Sequence, residues 1–126
     1  MTKIIMDEDC GNSPKNLFIQ KLTIAFAKGN FKFITDSVTE DIRWDIVGRR
    51  LIQGKAEFAE ALKQMKDDEI SELVIEHIST HGKAGAVNGT RKSKSGKVFA
   101  FCDVYEFNKA TGTSIKGITS YVIELK

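Results

Sequence analysis

Proline, cysteine and histidine are scarce: the 126 residues hold one Pro, two Cys and two His. Cys10 and Cys102 are too few and too far apart to staple a small secreted fold, so both read as free thiols in a reducing compartment. With no paired His or Cys spacing there is no metal-site signature. No cofactor is expected either. Gly82-Lys-Ala-Gly85 and Gly112-x-x-x-x-Gly117 lack the strand, turn and helix setting of phosphate or dinucleotide loops, and G-x-S-x-G does not occur.

Long apolar runs are missing too, so no segment approaches the roughly 18 residues that a membrane span needs. Met1-Thr-Lys-Ile-Ile-Met6 runs straight into Asp7-Glu-Asp9, too short an apolar stretch for a signal peptide. A cytoplasmic chain with no membrane contact is the expectation. Charge of one sign is absent as well: 19 Lys and Arg face 17 Asp and Glu, a net +2, which argues against a nucleic-acid binder. The basic cluster Arg91-Lys-Ser-Lys-Ser-Gly-Lys97 interleaves no aromatic residue and reads as a solvated hairpin tip.

What is present is 41% apolar residues, enough for one domain with a modest core. Residues 1–13 carry no periodicity and read as a loose arm before a single domain over 14–126. Ser13 and Pro14 suit a helix cap and its first position, and Phe18, Leu22, Ala25 and Phe26 make one apolar stripe that Gly29 ends. Asn30 caps a short second helix carrying Phe31, Ile34 and Val38. Ile42, Trp44 and Ile46 then alternate with polar residues as a strand, which Leu51-Ile52 briefly continues, and a third helix presents Phe58, Ala61, Leu62 and Met65.

Four strand-like runs follow, at about 71–81, 84–92, 97–108 and 114–125, with short turns that imply an antiparallel meander. The order reads ααβαββββ: an α+β fold with three N-terminal helices packed on a mainly antiparallel sheet. Strands this long should curve strongly, with Gly85, Gly89 and Gly117 at the bends.

In that order, Ala25-Phe-Ala-Lys-Gly-Asn30, Asp41-Ile-Arg-Trp-Asp-Ile-Val-Gly48, Gly54-Lys-Ala-Glu-Phe58, Phe101-Cys-Asp-Val-Tyr-Glu-Phe107 and Ile115-Lys-Gly-Ile-Thr-Ser-Tyr-Val122 carry a resemblance. The chain resembles the nuclear transport factor 2-like superfamily, in its SnoaL-like and ketosteroid-isomerase-like branches, from residue 14 to the C-terminus. The resemblance implies a cone-shaped α+β barrel around a deep pocket, and a homodimer through the outer sheet face. Members include isomerases, polyketide cyclases, dehydratases, epoxide hydrolases and non-catalytic domains, so the fold does not choose the function.

Asp103 is the leading chemical candidate. Period two puts its carboxyl on a face shared with Phe99, Phe101, Tyr105 and Phe107, where lost hydration should raise its pKa. The resemblance implies a protonated donor to a developing enolate there, a role for which the ketosteroid-isomerase-like branch is the standard example; a purely structural Asp is the other reading. Asp45 matches the general base of the isomerase-like enzymes, yet only one of Trp44 and Asp45 can face a pocket on a regular strand, and the alternation of Ile42, Trp44 and Ile46 favours Trp44. The Tyr that those enzymes carry on helix 1 has no counterpart at Gln20-Lys21-Leu22.

His77 would exchange protons with a ligand if it faced inward, or serve as a core or interface residue. Phe26, Tyr105 and Tyr121 suit either ligand contact or packing. Asn88 is a ligand-orienting amide if inward and a dimer or solvent residue if outward. Two functions stand open: a pocket enzyme without metal, moving protons in an isomerisation or cyclisation of a small apolar carbonyl compound, and a non-catalytic dimeric ligand-binding or interaction domain.

Overall fold

The computed structural model describes residues 2–6, 13–65 and 69–125, so the thiol of Cys10 lies outside the described residues. Chain order is β1 (Lys3–Met6), α1 (Pro14–Lys28), α2 (Phe31–Asp36), β2 (Val38–Ile46), β3 (Arg50–Gln53), α3 (Lys55–Gln64), β4 (Ile70–His81), β5 (Ala84–Ser93), β6 (Val98–Phe107) and β7 (Ile115–Leu125). The seven strands form one sheet in the order β1-β4-β5-β6-β7-β2-β3. Pairing is antiparallel except where β1 meets β4 and β2 meets β7. Among the described residues no helix is long and apolar enough to cross a membrane.

The helix ends follow local chemistry. Ser13 accepts a hydrogen bond from the Asn16 amide, and Gly29 takes the left-handed conformation (φ 74°) that closes α1. Asn30 accepts from the Phe33 amide to start α2 at once. The two helices are thereby fixed at an angle and pack together through Phe18 and Phe33, whose ring centroids lie 6.2 Å apart.

Two elements depart from the sequence reading. Residues 3–6 are not a loose arm: they form β1, parallel to β4, with Ile4 packed against the core. Four residues are too few to show a period, and their partner lies some 70 positions away. Leu51-Ile52 belongs to a separate strand, β3, which folds back antiparallel on β2 with Trp44 opposite Ile52.

The core lies between the helices and the inner sheet face, where Ile19, Leu22, Phe58, Leu62, Leu73, Ile75, Tyr105 and Phe107 are fully buried. Burying each large apolar side chain stabilises the fold by about 1.5–3 kcal/mol. Aromatic residues divide into two groups. Phe18, Phe33 and Phe107 fill one end, whereas Phe26, Trp44 and Phe58 stack at the other with centroids 5.3–5.9 Å apart.

Gly89 sits opposite Ile75, where β4 shifts register between Ile75 and His77. A Cβ built there would stand 1.9 Å from the Val74 carbonyl oxygen, a backbone atom that only a movement of the strand could clear. The irregularity and the missing side chain are one feature, because the β4 backbone leans into space that only Gly leaves free. Gly89→Ala is expected to destabilise the chain by about 3 kcal/mol, read as a lowered urea midpoint.

Candidate functional site

A cavity of about 640 Å³ opens between the inner sheet face and the ends of α1 and α3. Its apolar wall includes Phe26, Trp44, Leu62, Phe101, Ile118 and Val122, drawn from five elements. On each strand the wall residues are those that alternation turns inward, with β6 contributing Phe101 and Asp103 and β7 contributing Ile118, Ser120 and Val122.

Asp103 pairs in register with Ser120 across β6 and β7. Burial pushes its carboxyl above the ordinary carboxylate range, while a hydrogen bond with the Ser120 hydroxyl and the positive charge of Arg91 oppose the rise. Desolvation prevails. Trp44 Nε1 donates to Ser120 Oγ at 2.9 Å, so the indole orients the hydroxyl that meets Asp103. Three residues from three adjacent strands thus form one polar line beside the apolar side chains of the wall.

Tyr105 stands two residues beyond Asp103 and is 1% exposed. Its hydroxyl has no hydrogen-bond partner among the described residues. Burial raises it well above the usual tyrosine value, the Asp103 charge adds to that, and the Thr23 hydroxyl opposes it. Thr23 Oγ1 itself donates to the Ile19 carbonyl at 2.7 Å. Tyr105 belongs to the packed floor beside the cavity and does not line it.

The structure separates the other candidates. Trp44 faces the cavity and is 5% exposed. Asp45 therefore falls on the opposite face, in register with Leu51 and Thr119, and cannot act as base inside the cavity. No irregularity lies between them: β2 runs unbroken from Arg43 to Ile46 against β7. His77 is exposed on the outer face, its Nδ1 3.2 Å from Asn88 Oδ1, because the β4 irregularity after Ile75 turns it outward. Asn88, Cys102 and Tyr121 continue the same outer row, and Tyr121 is 48% exposed, so none of them touches the cavity. Phe99 is half-buried at the edge of the wall, beneath the Arg91 guanidinium at 6.0 Å.

Arg91 and Ser120 are the residues that sequence reasoning missed. Arg91 is no part of a solvated tip: it occupies β5, faces inward beside Leu73 and Phe99, and lines the cavity. The inward alternation of Val87 and Gly89 was its available signal, masked by the Lys, Ser and Gly that follow. Ser120 had only its register opposite Asp103. At the mouth, Lys94 Nζ lies 2.6 Å from Glu69 Oε2. Among the described residues no group of three His, Cys, Asp or Glu could hold a metal ion.

Because the folded chain holds the Asp103 proton to higher pH than the unfolded chain, folding takes up a proton between the two pKa values. The stability associated with the neutral carboxyl is complete below about pH 4 and is lost as pH rises through the folded value. Urea midpoints from acid to neutral pH should fall more steeply for the wild type than for Asp103→Asn, whose side chain does not titrate. Parallel profiles would show that the carboxyl is ionised in the folded state as readily as in the unfolded one.

Residues 19–113 match the family model of the SnoaL-like domain. Comparison with curated proteins gave no match. Among solved structures, the chain is similar to an NTF2-like protein of unknown function from Cytophaga hutchinsonii, with 23% identity and a TM-score of 0.66 over 85% of this chain and 97% of that one. It is also similar to an LEH-like epoxide hydrolase of M. tuberculosis, with 21% identity and a TM-score of 0.70 over 85% and 80% of the two chains. A third is an epoxide hydrolase/cyclase-like enzyme of pyran ring formation in the polyether salinomycin, with 17% identity and a TM-score of 0.71 over 86% and 90%. These identities carry the fold and not the reaction. Three helices on a seven-stranded, mostly antiparallel sheet give the chain an NTF2-like fold, and a model match over most of its length places it in the SnoaL-like family.

Proposed function

We propose that the chain binds a small, mostly apolar carbonyl compound and moves a proton on it through Asp103. The observation that carries this reading is a carboxyl of raised pKa inside an apolar cavity, oriented by Ser120 and Trp44. A neutral carboxyl donates a hydrogen bond, and then a proton, to a carbonyl oxygen. Its conjugate carboxylate collects the proton that the adjacent carbon loses. Both transfers balance on one residue, with the enol as the intermediate, and return of the proton to a different carbon isomerises the compound. Where a second carbonyl of the same molecule lies beside the enol, the enol carbon attacks its carbon and the broken C=O π pair takes the Asp103 proton. The carboxylate so formed removes the enol O–H proton, which closes the ring as a hydroxy ketone.

A non-catalytic binding domain is the second reading, favoured by one specific observation. Asp45 and His77 lie off the cavity, and among the described residues the only other carboxyl lining it, Glu69, is engaged by Lys94 at the mouth. Deuterium exchange separates the two. With 2-acetylnaphthalene in heavy water, the wild type should speed exchange of the methyl protons, followed by NMR, and Asp103→Asn should lower that rate about a hundredfold. Binding of the ketone without faster exchange would select the non-catalytic reading.

We also propose that the chain dimerises through the outer sheet face. Val104, Tyr121, Ile123 and Leu125 are exposed on β6 and β7, Ile123 at 66%, and they form a contiguous apolar strip in the register of the two strands. A second copy is the partner that symmetry makes self-complementary. Ile123→Glu is expected to shift the sedimentation coefficient from dimer to monomer; a wild type that sediments as a monomer would overturn the assignment.

A further inference from the structure

The charges around the cavity are unequal. Among the described residues four basic side chains line it, Lys28, Arg49, Arg91 and Lys94, against two acidic ones, Asp103 and Glu69. Even with both of these carboxyls ionised the described lining keeps an excess of positive charge. Glu69 is held by Lys94 at 2.6 Å, and Lys28 and Arg49 have no ion-pair partner among the described residues. These cations come from separate elements: Lys28 from the last turn of α1, Arg49 from the turn between β2 and β3, Arg91 from β5. Local sequence clustering therefore does not explain their convergence on one opening.

Arg91 differs from the two rim residues. Its guanidinium lies over Phe101 at 5.8 Å and over Phe99 at 6.0 Å, on the wall that also carries Asp103. The two ring faces lie within reach of a cation–π attraction, which favours the guanidinium on this wall. Its planar fork of N–H donors matches the paired oxygens of a carboxylate or sulfonate. In a partly enclosed cavity such a contact is stronger than at an open surface.

We propose that the cavity takes an apolar molecule bearing one anionic group, with the anion at Arg91, its apolar body on Phe26, Trp44 and Val122, and its reacting oxygen at Asp103. This rests on the pocket reading above and adds the substrate's charge to it. Lys28 and Arg49 at the mouth draw the anion in and make entry sensitive to salt. Asp103 and Arg91 then grip two different groups of one molecule, which fixes the ligand's direction in the cavity.

The test uses two probes on one frame, 8-anilinonaphthalene-1-sulfonate and its uncharged relative N-phenyl-1-naphthylamine. Binding to the full chain is read by energy transfer from Trp44, its single tryptophan. The sulfonate should bind about tenfold to a hundredfold more tightly, and the ratio should shrink between about 10 mM and 150 mM salt. Arg91→Gln should bring the ratio towards one, and Arg91→Lys should restore part of it. Equal affinities in the wild type, or a ratio that Arg91→Gln leaves intact, would overturn this inference and leave the pocket reading standing. Failure of both probes to bind would overturn the pocket reading with it.

Discussion

The register across β6, β7 and β2 is the constraint on which the site depends. Asp103 lies opposite Ser120, and β7 in turn runs parallel to β2 with Ile118 beside Trp44 and Ser120 beside Ile46. Those pairings bring an acid, a hydroxyl and an indole N–H into one line on the inner face. A slip of one residue in β2 would turn Trp44 outward and Asp45 inward, exchanging an apolar wall for a second carboxyl. Packing prevents the slip: Trp44 is wedged between Phe26 and Phe58, and Ile42 and Ile46 are buried on the same side. The chemistry available to the cavity is therefore a consequence of how an indole packs.

The cavity itself follows from an uneven distribution of bulk. Phe18, Phe33 and Phe107 pack one end of the space between helices and sheet, with Tyr105 beside them, and the other end keeps open volume around Asp103. Unfilled space forfeits dispersion contacts, so a chain of this size retains it at some cost in stability. The buried Tyr105 hydroxyl, which lacks a well-formed hydrogen bond among the described residues, and the desolvated Asp103 carboxyl are further costs in the same region. Concentration of three such costs around one cavity is the pattern of a site built for something other than packing.

Much of the fold was legible because it rests on local signals. Ser13, Gly29 and Asn30 act within a few residues of themselves, and the 3.6- and 2-residue periods of α1, α3 and β4 to β7 are written along single segments. β1 escaped because its four residues become a strand only against β4. At the site, Asp103 was legible from its aromatic alternation alone. The face of His77 was not legible because an irregularity in β4, matched to Gly89 on the next strand, changes the face after Ile75. Arg91 was hidden by the turn-like residues that follow it.

By itself the sequence determined the elements, their caps and the aromatic face that desolvates Asp103, since each depends on neighbours a few positions away. Which of Trp44 and Asp45 looks inward was decided by tertiary packing of Trp44 between two rings from α1 and α3. The meeting of Lys28, Arg49 and Arg91 at one opening was decided there too, because they lie on elements that only the packing of helices on the sheet brings together. Alternation is a property of one strand, whereas a site is a property of the register between several, and that register is set by long-range burial.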